Sequence, residues 1–160
     1  MYNTNMLKNK FISFTLFFII TYSASFIGRI VTISLKEPWY SQLIKSNYNP
    51  PDWVFAPVWT TLYLMMTLAI WFYWHSKNRE TKTVYIYFIN IFLNTTWSIV
   101  FFGLHQILAA LIILIALIIL IIILILKFKR VNYVCSYLMI PYLLWCCYAL
   151  FLNFNLYILN

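Results

Sequence analysis

From Ile107 to Leu126 the chain is built from Ile, Leu and Ala alone, with no polar face. A segment of that length matches the roughly 20 residues needed to cross a ~30 Å hydrocarbon core. In water it would present apolar surface on every side, so it constrains the whole chain to a lipid-solvated fold. Composition agrees: 64% of the residues are apolar, 21% aromatic and only 9% charged, and 160 residues cannot hide that much apolar surface in one water-soluble core. The segment itself carries no chemistry, and it can face lipid over most of its circumference.

Four more runs have the same character, giving spans at about 11–33, 54–74, 84–103, 106–126 and 134–157. The expected fold class is therefore an all-α membrane protein, a five-transmembrane-helix bundle forming a single domain over 1–160. The connections are unequal. One long loop, 34–53, joins the first two spans, whereas Gly103-Leu104-His105 leaves room only for a tight antiparallel hairpin. No internal repeat is visible, which counts against the inverted-repeat plan of secondary transporters. The formal charge of +8 sits in tracts beside the spans: Lys8 and Lys10; Lys77, Arg79 and Lys82; Lys127, Lys129 and Arg130. Such tracts anchor and orient helices rather than bind nucleic acid. They share one face with the N-terminus, which the positive-inside rule places in the cytoplasm, with loop 34–53 on the far side. The first span is too long for a signal peptide, and Arg29 and Lys36 stand where a small-residue cleavage site would be. The three cysteines, Cys135, Cys146 and Cys147, all fall in the fifth span and read as small apolar fillers, with no metal-ligand spacing.

Polar and aromatic residues are patterned on three of the other helices. Asn90, Asn94, Trp97 and Phe101 form one stripe of the third span. An amide in hydrocarbon needs partners, so this stripe should face inward. Trp59, Tyr63, Met66 and Ile70 do the same on the second span, and Pro141, Trp145, Ala149, Leu152 and Asn153 on the fifth, flanked by Tyr142 and Tyr148. Trp71, Trp74 and Tyr85 suit an interfacial belt. The second span starts abruptly: Pro50 and Pro51 stiffen the incoming chain, Asp52 is placed as an N-cap, and Pro57 is tolerated close to the helix start. That hinge would hold Trp53 over the end of the bundle. Acid–base catalysis finds little support, because the three carboxylates, Glu37, Asp52 and Glu80, are split between two faces, and His75 and His105 lie at opposite helix ends. An aromatic-lined cavity with few polar groups suits a flat hydrophobic ligand.

Three blocks resemble one known family. They are Trp39-Tyr40, Leu43 and Lys45 leading to Pro50-Pro51-x-Trp53-Val54-Phe55-x-Pro57-Val58-Trp59-x-x-Leu62-Tyr63; then Asn94-x-x-Trp97 with Phe101-Phe102-Gly103; and Pro141-Tyr142-x-x-Trp145-x-x-Tyr148-x-x-x-Leu152-Asn153. In order, spacing and number of spans the chain resembles the tryptophan-rich sensory protein and translocator protein family, also called the peripheral benzodiazepine receptor family. The resemblance implies a five-helix bundle, commonly a homodimer, with its ligand cavity closed by the first loop. It also implies binding of porphyrins such as protoporphyrin IX, and in some members of sterol or benzodiazepine-like molecules. No cofactor is required; porphyrin is the ligand. Carried over, the pocket uses Trp53, Trp97 and Trp145 with Ala149. With the other aromatic and polar residues of the blocks and stripes, the expected ligand-binding set is Trp39, Trp53, Tyr63, Asn94, Trp97, Phe101, Trp145, Tyr148 and Ala149. Some bacterial members are credited with light-dependent porphyrin breakdown, for which Trp53 and Trp145 are the candidate catalytic residues here.

Two departures stand out. Lys45-Ser46 replaces the family's Lys-Pro, loosening one turn of the loop. Tyr157 is followed by Ile158, Leu159 and Asn160 without the basic residue of the sterol-recognition pattern proposed for animal members, a weak motif in any case. The leading expectation is a membrane receptor or sensor for tetrapyrroles, in a prokaryotic cell membrane or, in a eukaryote, the outer mitochondrial membrane. The alternatives are a light- or oxidant-dependent porphyrin-degrading enzyme and a transporter of porphyrin- or sterol-like solutes.

Overall fold

The computed structural model describes residues 9–160; Lys8, assigned above to the first basic tract, lies outside them. Five long helices have the length and hydropathy to cross a membrane. They are α1 (Lys10–Leu35), α3 (Phe55–Trp74), α4 (Thr81–Ser98), α5 (Ile107–Lys129) and α6 (Tyr133–Leu159), with a short α2 (Trp39–Gln42) in the first loop. Local chemistry sets their starts. Asn9 caps α1 by accepting from the Phe11 and Ile12 amides, and Asn132 caps α6 by accepting from Val134 N, each satisfying donors that the first turn leaves unpaired.

The start of α3 differs from expectation. Asp52 makes no capping hydrogen bond; it opens a single 3-10 turn, Asp52–Val54, before the helix proper begins at Phe55. Its carboxylate instead accepts from the Lys36 ammonium at the end of α1. A charge-assisted bond to a neighbouring cation outcompetes the local amides.

Around the bundle the helices contact one another in the order α1, α3, α6, α5, α4 and back to α1, so the consecutive pair α3 and α4 hardly touch. On α5 the inward stripe is Ala110, Leu114, Leu117, Ile121, Leu124 and Phe128, all buried. Its alternating three- and four-residue spacing is that of a helix seated between two neighbours. The other faces of α5, with Ile112, Ile115, Ile119 and Ile122, are exposed to the surroundings. Close approach of α1 to α4 depends on Gly28, where an added Cβ would stand 3.1 Å from Ser98 Oγ. Thus this small residue of the first span serves contact within the chain.

The last turn of α4 is a π-turn, Ile99–Gly103, which closes with Leu104 N donating to Ile99 O at 2.9 Å. His105 then takes a left-handed φ of 56°, which completes the hairpin into α5 in three residues, Leu104–Gln106.

At the end of the bundle carrying the basic tracts, side chains knit the helices together. Lys127 pairs with Glu80 at 3.0 Å, Trp71 Nε1 donates to Lys10 O at 3.0 Å, and Ser13 Oγ shares a 2.8 Å hydrogen bond with His75 Nε2. This half of the interior is filled by Met66, Ile70, Tyr73, Tyr87, Phe128 and Met139, all buried. The Tyr87 hydroxyl is paired with Thr21 Oγ1 at 2.7 Å.

Candidate functional site

The opposite half encloses a cavity of about 660 Å³, lined by α1, α3, α4, α6 and the first loop. Its floor is a polar bridge across the bundle: Tyr63 Oη donates to Asn94 Oδ1, and Asn94 Nδ2 donates to Tyr142 Oη at 3.2 Å. Trp59 stacks over Tyr63 with ring centres 5.4 Å apart and meets Tyr142 edge-on at 6.3 Å. Both polar atoms of the Asn94 amide thereby take part in holding three helices together.

The walls are aromatic. Trp97 and Phe101 lie parallel, 5.3 Å apart at 9°, the offset arrangement that aromatic quadrupoles prefer. Both residues lie on the cavity side because the π-turn brings Phe101 and Phe102 into the lining together. Facing them on α6, Trp145 packs edge-on to Phe55 at 5.9 Å, and Ala149 leaves space one turn further on. Two polar groups in this lining have no protein partner among the described residues: the indole N–H of Trp97 and the whole amide of Asn153, which is 2% exposed. Buried donors and acceptors are nearly always satisfied in folded proteins; these, like the buried Asn90 amide outside the lining, find no protein partner among the described residues.

Loop 36–51 covers the end. Tyr40 is buried beneath it, edge-on to Phe101 and Phe102, with the ammonium groups of Lys36 and Lys45 at 4.8 Å and 4.2 Å from its ring centre. Burial pushes its phenol above the ordinary range, outweighing the opposing hydrogen bond from Asn49 and the nearby Lys36. The loop is tied down twice to α6. Ile44 N donates to Asn160 Oδ1 at 2.9 Å while Asn160 Nδ2 returns to Ile44 O at 3.1 Å, and Tyr148 Oη donates to Tyr48 O at 2.6 Å. The mouth lies between α1 and α3, where the lining residues Phe26, Arg29 and Ile33 on one helix and Ala56 and Thr60 on the other are exposed.

Six of the residues singled out in the sequence thus meet around one cavity: Tyr63, Asn94, Trp97, Phe101, Trp145 and Ala149. Three do not line it. Trp53 is 73% exposed on the outer face of the 3-10 turn, displaced because that extra turn gives the inward position to Phe55 and Ala56. Trp39 stacks on His105 at 4.4 Å and 15°, closing the loop against the α4–α5 hairpin. Tyr148 fastens the loop. Sequence reasoning left Trp59, Tyr142 and Asn153 out of the set although Trp59 and Asn153 lie on the stripes it drew and Tyr142 flanks one of them. The α1 contributors Tyr22, Gly28, Arg29 and Thr32 carried no signal in an otherwise apolar helix.

Comparison with known proteins gives the same picture. Residues 15–159 match the TspO/MBR family. The tryptophan-rich protein TspO of Chlorobaculum tepidum is 35% identical over 145 residues, covering 86% of this chain and 89% of that protein. The tryptophan-rich sensory protein of Cereibacter sphaeroides is 31% identical, covering 88% and 90%. The human translocator protein is 30% identical over 120 residues, covering 72% and 71%. Since the match takes in all five membrane-spanning helices, the covering loop and the cavity between them, this chain belongs to the TspO/MBR family of membrane proteins.

Proposed function

We propose that the chain is a membrane receptor for a flat, hydrophobic tetrapyrrole such as protoporphyrin IX, held in the cavity beneath loop 36–51. The observation that carries this reading is the aromatic cavity itself. Its volume of about 660 Å³ falls within the roughly 300–1,000 Å³ of small-molecule sites, and Trp59, Trp97, Phe101 and Trp145 offer π-faces from three helices. A macrocycle entering between α1 and α3 would come from the bilayer side, where such a molecule partitions. Arg29 and Lys36 place two cationic groups in the lining that suit carboxylate arms.

The test is a protoporphyrin IX titration of the detergent-solubilised chain, read by tryptophan quenching. Saturable binding is expected, weakened about tenfold or more when Trp97 and Trp145 are both replaced by phenylalanine, the loss of two stacking contacts of order 1 kcal/mol each. Trp53→Phe, lying outside the cavity, should weaken it far less. Unchanged affinity in the double variant would sink the proposal.

A further inference from the structure

The Lys36 ammonium already holds a carboxylate. It lines the cavity beside Tyr40, and its partner is Asp52, from the 3-10 turn that leads into α3. The two partners are unequally placed. The Lys36 side chain is 18% exposed and rests on the Tyr40 ring, whereas that of Asp52 is 68% exposed at the rim. Glu37 stands further off, at 3.9 Å from the same ammonium. Two helical turns back on the cavity side of α1, Arg29 makes no ion pair among the described residues. The cation is therefore built into the wall, and the anion that satisfies it is the solvated member of the pair.

We propose that Lys36 is the carboxylate receptor of this cavity and Asp52 its built-in competitor, so that an anionic ligand displaces Asp52 from Lys36. This rests on the tetrapyrrole reading above and deepens it, because it makes the ligand's carboxylates, rather than its ring alone, the feature selected. Neutral flat molecules would meet an intact Lys36–Asp52 pair and gain nothing at the mouth. A dicarboxylate would exchange one acid for another at Lys36 and offer its second arm to Arg29, about 10 Å away along the helix axis. Two consequences follow from the geometry. Asp52 lowers affinity for carboxylate ligands, since it must be expelled and then remains as a like charge beside the newcomer. Its release also unfastens the turn Asp52–Val54 from α1, and Trp53 rides on that turn.

The experiment compares protoporphyrin IX with its uncharged dimethyl ester on the full chain in detergent. Asp52→Asn is expected to tighten binding of the dicarboxylate about two- to fivefold, the span of an exposed ion pair, and to leave the ester unchanged. Lys36→Met should weaken the dicarboxylate towards the ester's affinity. In the unsubstituted chain labelled with 5-fluorotryptophan, the Trp53 resonance, assigned through Trp53→Phe, should shift with the dicarboxylate and not with the ester. If both porphyrins bind alike, with no response to Asp52→Asn and the same Trp53 shift, the exchange is refuted while the cavity reading stands. If neither binds, both fall.

Discussion

Replacing Asn94 by leucine removes the centre of the cavity floor while keeping the side chain close to its original size. Asn94 is buried and makes two side-chain hydrogen bonds, accepting from Tyr63 and donating to Tyr142. Hydrogen bonds between membrane helices are worth about 0.6 kcal/mol on average and up to about 1.7. Two of them, lost together, leave the Tyr63 hydroxyl only Ser25 and the Tyr142 hydroxyl only Cys146 nearby, which should lower stability by about 1–3 kcal/mol. The diagnostic step is the triple variant Asn94→Leu/Tyr63→Phe/Tyr142→Phe. It has lost the same bonds but strands no hydroxyl, so it should regain about 1 kcal/mol of what Asn94→Leu alone gave up. Equilibrium unfolding in mixed micelles with increasing dodecyl sulfate, followed by circular dichroism, measures all variants on one scale. If Asn94→Leu is as stable as the unsubstituted chain, or if the triple variant is less stable than the single one, the bridge is not what holds α3, α4 and α6 together.

Tyr148→Phe deletes the hydroxyl that holds Tyr48 O at 2.6 Å. Ligand dissociation should become severalfold faster with little change in melting temperature, as followed by stopped-flow fluorescence after ligand dilution. Gly28→Leu should prevent α1 from reaching α4, since even a Cβ stands 3.1 Å from Ser98 Oγ; loss of folded, monodisperse protein on size-exclusion chromatography is the expected outcome. Acid should loosen the basic end of the bundle through His75. Burial first, then Lys10 and Arg79, holds its imidazole below its ordinary value of 6.5. A folded-state value below the unfolded one means that the stabilisation is present above 6.5 and lost as pH falls through the folded value. Melting temperature should therefore drop on going from pH 7 towards pH 5, and His75→Gln should flatten that part of the profile. Glu80, held below the carboxylate range by its bond to Lys127, acts in the same direction at lower pH, and Glu80→Gln should remove that second, acid-side decline.

The spans were legible because each matches the membrane's thickness in predominantly apolar residues, a signal that does not depend on packing. The stripes through Asn94, Trp97 and Trp145 were legible for a related reason: an amide or indole among Leu and Ile must face protein, and helical periodicity says which neighbours go with it. What could not be read is phase and pairing. A single 3-10 turn at Asp52 rotates the start of α3, so Trp53 faces outward and Phe55 inward, and proline spacing does not reveal the rotation. The π-turn at Ile99–Gly103 similarly brings Phe101 and Phe102 both into the lining, against a strict four-residue ladder. Nor does anything in Trp39 or His105 announce that their rings stack, because the contact is made by a loop meeting a hairpin across the bundle end. The inward stripe of α5 is invisible in principle, since every face of that helix is equally apolar and only its neighbours choose one.

The two halves of the bundle interior bear on which kind of family member this is. Beneath the Tyr63–Asn94–Tyr142 bridge the described interior is packed with Met66, Ile70, Tyr73, Tyr87, Phe128 and Met139, all under 2% exposed. A solute the size of a tetrapyrrole could follow the bundle axis only by breaking the bridge and displacing that layer of large side chains. By contrast, reaching the cavity from between α1 and α3 requires parting the hydrogen bond from Tyr22 Oη to Thr60 O and moving side chains at the mouth, and leaving the same way reverses it. The architecture is that of a blind chamber with a side door and a covered end. Under the receptor function proposed above, the segment best placed to report occupancy of such a chamber is the turn carrying Asp52 and Trp53. It touches the ligand's cavity through one side chain and presents a large indole to the outside through the next.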